Sequence, residues 1–290
     1  MFGRSEERKV AILMYHSISE HTKPKFERFT VSPALFAAQM AYLHQNAYTP
    51  ITVTQFVNAL YQKGTTLPER PVVLTFDDSF ADFFSEALPV LKQYGFAATL
   101  YIVTAFINDT SRWLQREGEA TRLMLTWDQL TEISAYDIEC GAHSHSHRPL
   151  DTLSHTVARD EIVQCKRLLE HNLGQKVLSF AYPFGYHSAA LRQLAREAGY
   201  TSACAVKHAM SSETTDPFAL ARIMVKEETS VDALAALLIG CGSPSIRTMY
   251  LRARTPVWRF ARRCSASVIR HSRRSSVTEM QYLQERFPIK

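Results

Sequence analysis

Short apolar runs alternate with longer amphipathic stretches along this chain, and that alternation restricts its fold more than any other feature. Seven runs rich in β-branched and aromatic residues predict strands at 10–15, 72–76, 97–103, 136–141, 177–182, 201–206 and 219–225. Several are apolar throughout, which is typical of strands buried on both faces of a parallel sheet. Helical patterns lie between them, the clearest at 32–45, 81–95, 154–174 and 188–200. We therefore predict an α/β fold, a distorted (β/α)7-type barrel with mainly parallel strands.

Composition and charge divide the chain into a body and a tail. The 290 residues are 46% hydrophobic, which is enough for one large domain with a core. Eleven of the 33 Lys and Arg residues, but only two of the 28 Asp and Glu residues, lie from Ser245 onward. This asymmetry predicts a folded domain at 1–243 and a basic C-terminal tail at 244–290. The mildly acidic body gives no support to nucleic-acid binding.

Cysteine usage and hydropathy lead us to expect a cytoplasmic protein. The five cysteines are dispersed without a CxxC pair, and no apolar run approaches the length of a membrane span. The tail mixes arginines with Tyr250, Val257, Trp258, Phe260 and Ile269, which suits peripheral association with anionic lipid at the inner membrane face. The alternatives are a helix packed on the barrel and a solvated tail.

Reactive side chains fall where predicted strands end, which is where parallel α/β folds collect catalytic residues. They are His16 after "AILMY", Asp77 and Asp78 after "VVLTF", His143 and His147 after "YDIECG", and "YPFG" at 182–185. Four strand ends would therefore direct polar groups towards one rim of the barrel.

The paired carboxylates and the spaced histidines suggest a metal site. Past a strand end, one carboxylate of Asp77 and Asp78 can bind a cation while the other acts as a base, although an isolated pair is more often a turn or a helix cap. His143 and His147 are spaced i, i+4, which places both imidazoles on one side of a helical turn, and His145 is then a bystander. Two imidazoles and one carboxylate leave positions open for water and substrate.

These motifs resemble the polysaccharide deacetylase family, the NodB-homology or carbohydrate esterase 4 group. Residues 75–78, Thr-Phe-Asp-Asp, resemble the family's TFDD motif. The next residue in this chain is Ser79, where the family usually has glycine. Its H-[ST]-x-x-H motif is similar to residues 143–147, and "AYPFG" has Ala181 where many members carry arginine. "LARIMV" resembles the stretch that carries the family's motif arginine, here Arg222.

The resemblance implies a role for each residue. Asp78, His143 and His147 would bind a divalent metal, usually zinc. Asp77 would be the general base, positioned by Arg222. The backbone N–H of Phe184, in the turn that Tyr182 and Pro183 open, would face the oxyanion.

The general acid is identified through a subgroup of the family. Many members carry it in a late L-x-H strand, which this chain lacks. The opening "MYH" resembles the circularly permuted branch that includes exopolysaccharide deacetylases, and there His16 takes the role in preference to His187 and His208.

The implied activity is metal-dependent removal of N-acetyl groups from amino sugars of a polysaccharide, oligosaccharide or lipid-linked glycan precursor. Acetate and a free amine would result. Two alternatives remain: a metal amidohydrolase acting on a small non-sugar C–N bond, and a glycan-binding module with a decayed site.

Overall fold

A computed structural model describes residues 9–61 and 65–240. The tail at 244–290, with the membrane association expected of it, lies outside these residues, so the predicted boundary at 243 stays a prediction. Within the described ranges, every helix is too short or too polar to traverse a bilayer.

Mainly parallel strands form the central sheet. They are β1 Ile12–Tyr15, β4 Thr49–Ile51, β5 Pro71–Phe76, β6 Ala98–Ile102, β7 Ile138–Ala142, β8 Ser179–Ala181, β9 Ser202–Cys204 and β10 Ile223–Met224. Two further short strands, β2 Ser17–Ile18 and β3 Thr30–Val31, pair with each other. All of these pairings are parallel.

The sheet runs in the order β10-β1-β5-β6-β7-β8-β9, with β4 added beside β5. The segment before β10 joins its two ends. Leu220 bridges to Cys204 of β9, and Ile223 pairs with Leu13 of β1. Seven strands therefore curl into a distorted barrel, as the sequence predicts.

Helices lie between and after the strands, and all of those below except α2 cover the outside. They are α1 Pro33–Gln45, α2 Val53–Tyr61, α3 Leu88–Tyr94, α4 Trp127–Ile133, α5 His155–Leu173, α6 Ala189–Glu197 and α7 Val231–Leu238. Serine or threonine caps begin five of them, such as Ser154 at α5, because a side-chain oxygen satisfies a backbone N–H that the helix leaves unpaired. Glycines in the left-handed conformation end α3 and α5.

Alternation along the strands separates two layers of core. Leu13, Leu74, Leu100 and Phe180 point outward into the large cluster under the surrounding helices. Their neighbours Ile12, Val73, Tyr101 and Ala181 point inward and pack with Val53, Phe56 and Val57 of α2. Helix α2 therefore fills the amino-terminal end of the barrel, and the carboxyl ends of the strands are left to carry polar groups.

All seven predicted strands are confirmed; β5 begins one residue earlier than predicted, and the other six are shorter than or shifted from their predicted bounds. The apolar patterns did not predict β4 or α2; β4 has only three residues, too few to show the alternation of a strand.

Candidate active site

Strained backbone marks the loops that follow β5, β7 and β8. Asp78, Ser79, Ser144, His147 and Phe184 all have positive φ values, between 54° and 73°. A side chain with a Cβ costs about 1–3 kcal/mol in such a conformation and persists only where surrounding contacts hold it. Strain concentrated at three neighbouring strand ends points to a functional site.

Asp77 and Arg222 form a buried ion pair at this rim. Nη1 of Arg222 lies 2.6 Å from Oδ1 of Asp77, and Nη2 lies 2.8 Å from Oδ2. Nη1 also donates to the hydroxyl of Thr75, and Nε donates to the carbonyl of Ala205. The Arg222 side chain has no exposed surface. Its planar fork therefore fixes both oxygens of Asp77.

Asp78, His143 and His147 bring three donor atoms together. Oδ1 of Asp78 lies 3.1 Å from Nε2 of His147 and 3.6 Å from Nε2 of His143. One ligand atom from each residue lies within 4.8 Å of the other two, and all three residues are buried. Adjacent ligands of a tetrahedral zinc ion are separated by about 3.3 Å when the bonds are about 2.0 Å long.

The unmet bonding capacity of Asp78 also fits a cation. Its Oδ1 is buried and accepts no hydrogen bond from the described residues. A buried carboxylate oxygen without a donor is unfavourable unless an ion or water satisfies it. The residues present therefore suit a divalent metal ion.

His143 and His147 are oriented by different means. Nδ1 of His143 lies 2.8 Å from the carbonyl of Ala181, a contact that directs Nε2 into the site. The ring of His147 lies between Trp113, at a centroid distance of 5.4 Å, and Phe184, at 4.9 Å. The two imidazoles do converge, but the predicted helical turn is wrong, because residues 143–147 form an irregular loop.

Charges within the rim alter its ionisation. Burial raises the pKa of Asp77, but the charges of Arg222 and His143 outweigh it and hold the pKa below its ordinary value. The pKa of Asp78 is also held below its ordinary value, because the charge of His147 outweighs the effect of burial. Burial lowers the pKa of His143 to about 4, although Asp77 opposes the shift. Both aspartates are therefore ionised and His143 is neutral at neutral pH. Ionised Asp78 and neutral His143 are the forms that bind metal.

His16 lies directly after β1, within electrostatic range of the two aspartates. Burial lowers the pKa of His16 below its ordinary value, although the charges of Asp77 and Asp78 oppose the shift. Its ring packs 5.0 Å from that of Phe29, and its buried Nδ1 has no hydrogen-bond partner among the described residues. The structure therefore brings His16 to the same rim as the acidic pair.

The other histidines considered above have contacts elsewhere. His187 stacks on Tyr182 at 5.3 Å, and the backbone N–H of His208 donates to the carbonyl of Arg222. Nδ1 of His145 lies 2.9 Å from the hydroxyl of Thr104, outside the group of donor atoms.

The "YPFG" turn presents Phe184 at the rim. Pro183 and Gly185 are buried, whereas the Phe184 side chain is 52% exposed beside His147. Gly185 has φ +71°, and a Cβ there would come within 2.6 Å of Val206. The hydroxyl of Tyr182 donates to the carbonyl of Phe218, so this side chain is engaged in the core.

Sequence reasoning missed Trp113 and Glu161. Trp113 belongs to the irregular region between β6 and α4, where no periodicity drew attention to it. Glu161 lies on α5, and its carboxylate accepts from the backbone N–H and the hydroxyl of Ser146. A charged residue on the buried side of a predicted helix is the one signal that could have found it.

Comparison with known proteins finds similar sequences among polysaccharide deacetylases. Residues 64–203 match the polysaccharide deacetylase family model. YxkH of Bacillus subtilis (strain 168), named as a candidate polysaccharide deacetylase, is 29% identical over 195 residues, which cover 66% of this chain and 62% of YxkH. The poly-beta-1,6-N-acetyl-D-glucosamine N-deacetylase of Escherichia coli (strain K12) is 26% identical over 141 residues, covering 47% of this chain and 20% of that protein.

A solved structure shares the fold. The Streptococcus pyogenes deacetylase PplD in complex with acetate superposes with a TM-score of 0.70 and 26% identity, over 80% of this chain and 99% of PplD. The fold and site thus define an α/β barrel like that of this deacetylase. Residues 64–203 of the chain form a polysaccharide deacetylase domain. Its matches span 62% and 20% of the length of the two curated relatives above.

Proposed function

We propose that this protein is a metal-dependent deacetylase that removes N-acetyl groups from amino sugars of a polysaccharide, oligosaccharide or lipid-linked glycan precursor. One observation carries the proposal. The buried Asp77–Arg222 pair lies beside the convergent donor atoms of Asp78, His143 and His147, with Nε2 of His143 only 3.8 Å from Oδ2 of Asp77. A base and a ligand set are therefore neighbours on one rim.

Zinc is the ion we propose for the ligand set, because two imidazoles and one carboxylate are a common catalytic zinc environment with room for further ligands. Held there, the ion would polarise the acetamido carbonyl and lower the pKa of water. Asp78, His143 and His147 supply the ligands, and Ala181 supports His143.

Asp77 acts as the general base on the attacking water. Arg222 keeps its carboxylate ionised and fixes the direction of both oxygens. The water loses its proton to Asp77 as its oxygen bonds to the carbonyl carbon. The backbone N–H of Phe184 faces the oxyanion that develops on the carbonyl oxygen.

His16 acts as the general acid. An amine leaves readily only when it is protonated, so His16 delivers a proton to the nitrogen as the C–N bond breaks. Acetate and a free amino sugar result. The charges of Asp77 and Asp78 partly offset the burial that lowers the pKa of His16.

A glycan fits the rim better than a small cyclic amide. The exposed ring of Phe184 beside His147 offers an apolar face on which a pyranose ring can stack. The named activity of the Escherichia coli relative is directed at an N-acetylated glucosamine polymer, which also favours a glycan substrate.

Acetate release tests the proposal. The full chain is stripped of metal with a chelator, reloaded with zinc, and assayed on N-acetylglucosamine oligomers and on small cyclic amides. We expect zinc-dependent acetate release from the oligomers. Activity on the amides alone would favour the amidohydrolase, and a protein that binds no zinc and releases no acetate would favour the decayed module.

We also propose a cytoplasmic location with peripheral membrane contact through residues 244–290. The support is the arginine-rich, aromatic composition of that tail. Co-sedimentation with anionic vesicles compares the full chain with a version ending at Ser243. Equal binding by the two proteins would contradict the proposal.

A further inference from the structure

Helix α5 buries a carboxylate on its core face. The buried residues of this helix are Ala158, Glu161, Ile162, Cys165 and Leu169, and Glu161 is only 7% exposed. A carboxylate in such surroundings loses its hydration, which is unfavourable unless hydrogen bonds replace it. An apolar side chain would suit this packing better, so the presence of a glutamate at position 161 needs an explanation other than packing.

The bonds of Glu161 lead to the loop between the two ligand histidines. The backbone N–H of Ser146 donates to Oε2 at 2.7 Å, and the Ser146 hydroxyl donates to Oε1. The backbone N–H of His145 donates to the carbonyl of Glu161 at 3.0 Å. One residue of a rigid helix therefore holds two consecutive residues of the loop.

The loop needs such support because its backbone is strained. Ser144 has φ 64° and His147 has φ 54°. A hydrogen bond from the N–H of His147 to the Ser144 hydroxyl, 3.1 Å long, links these two positions. Strained residues keep their conformation only where neighbouring contacts specify it.

His147 also lacks the support that His143 has. Nδ1 of His143 contacts the Ala181 carbonyl, whereas Nδ1 of His147 has no hydrogen-bond partner among the described residues. Apart from the contact of its Nε2 with Asp78, the imidazole is held by ring contacts with Trp113 and Phe184. The direction of its Nε2 therefore depends on this packing and on the backbone that Glu161 holds.

We propose that Glu161 is a positioning residue for His147, which fixes its Nε2 towards Asp78 by holding Ser146. This inference rests on the proposed function, because it assumes that Asp78, His143 and His147 bind a metal ion. Glu161 touches neither the ion nor the substrate. Its effect is therefore on metal affinity.

Zinc affinity of the full chain, measured by competition with a chromophoric chelator, tests the proposal. Glu161→Met keeps the side-chain length and suits the apolar surroundings but removes both bonds to Ser146. We expect zinc affinity to fall by about 10–100-fold, the range for groups that orient metal ligands. Glu161→Gln keeps an oxygen for the Ser146 N–H, so most of the affinity should return.

Asp160→Ala is the matched control, since this neighbouring carboxylate is 61% exposed, and its zinc affinity should equal that of the wild type. Melting temperatures of the metal-free proteins separate loss of folding from loss of binding. A folded E161M protein with wild-type zinc affinity would overturn the proposal. If E161M does not fold, the zinc affinity of Ser146→Ala is measured instead. An affinity equal to that of the wild type would then overturn the proposal. A wild-type protein that binds no zinc would instead remove the proposed function.

Discussion

Arg222 and Asp77 lie 145 positions apart and meet in a buried, two-pronged ion pair with separations of 2.6 and 2.8 Å. Asp77 follows β5, whereas Arg222 precedes β10, and β1 lies between these two strands in the sheet. The segment from Leu220 to Met224, which joins the ends of the sheet, therefore also carries the partner of the proposed base.

Removing Arg222 should destabilise the fold. Arg222→Met leaves Asp77 buried without its partner, and breaking a buried pair in this way costs about 3–5 kcal/mol. Denaturant unfolding measures the change. Arg222→Lys is the comparison, because it keeps a charge but loses the fork, so its loss should be smaller. A free energy of unfolding for R222M equal to that of the wild type would contradict the role of the pair.

Asp77→Asn should separate metal binding from catalysis. The amide keeps the shape of the side chain but cannot take a proton, so acetate release should fall by about 10²–10⁴-fold. Zinc content, measured by elemental analysis, should stay at the wild-type level. Asp160→Asn serves as the exposed control and should keep its activity. Loss of zinc by D77N would mean that Asp77 is a ligand.

The three histidines of residues 143–147 should respond differently to alanine. His143→Ala and His147→Ala should each lose bound zinc, because each removes one of three protein ligands. His145→Ala should retain zinc and lose about 1 kcal/mol of stability, since only its contact with Thr104 disappears. Zinc loss by H145A would show that the central histidine is needed for the metal.

Two glycines with similar backbone angles should differ in their tolerance of alanine. Gly174 has φ +65° with no atom near its missing Cβ, so Gly174→Ala should cost about 1 kcal/mol from backbone strain alone. At Gly185, with φ +71°, a Cβ would also collide with Val206. Gly185→Ala should be the more destabilising, and it should lower activity by displacing Phe184. Val206→Ala in the same chain should restore part of the stability, and equal costs at the two glycines would argue against the collision.

Asp82 should make stability depend on pH. Its side chain is 13% exposed, and its Oδ2 accepts from the hydroxyl of Ser17 at 2.6 Å and from Arg122 at 3.1 Å. Burial raises the pKa of Asp82 from 3.8 to about 6 despite these partners. The folded protein therefore binds the extra proton between these values, and the free energy of unfolding falls as the pH rises through that window.

Asp82→Asn removes this titration while keeping an oxygen for Ser17 and Arg122. Denaturant unfolding at several pH values should show the wild type losing stability relative to D82N from about pH 4 to about pH 6, with no further change above. The total is at most about 3 kcal/mol, from a shift of about two pKa units. A constant difference across this range would mean that Asp82 is charged throughout it.

Local sequence determined the parts of this protein that depend on neighbouring residues. The apolar runs predicted the seven strands, since burial on both faces of a parallel sheet requires nearly continuous apolar residues. Strand ends also identified Asp77, Asp78, His143 and His147 as candidates, because the carboxyl ends of parallel strands share one edge, and the family resemblance added Arg222.

Only the tertiary structure decided how these candidates meet. The imidazoles of His143 and His147 converge through a strained loop held from α5, and no spacing rule contains that information. Helix α2 fills the amino-terminal end of the barrel and Trp113 packs on His147, and local sequence specifies neither placement. The physical reason is that these contacts are non-local, and their free energy appears only when distant segments pack together in the closed sheet.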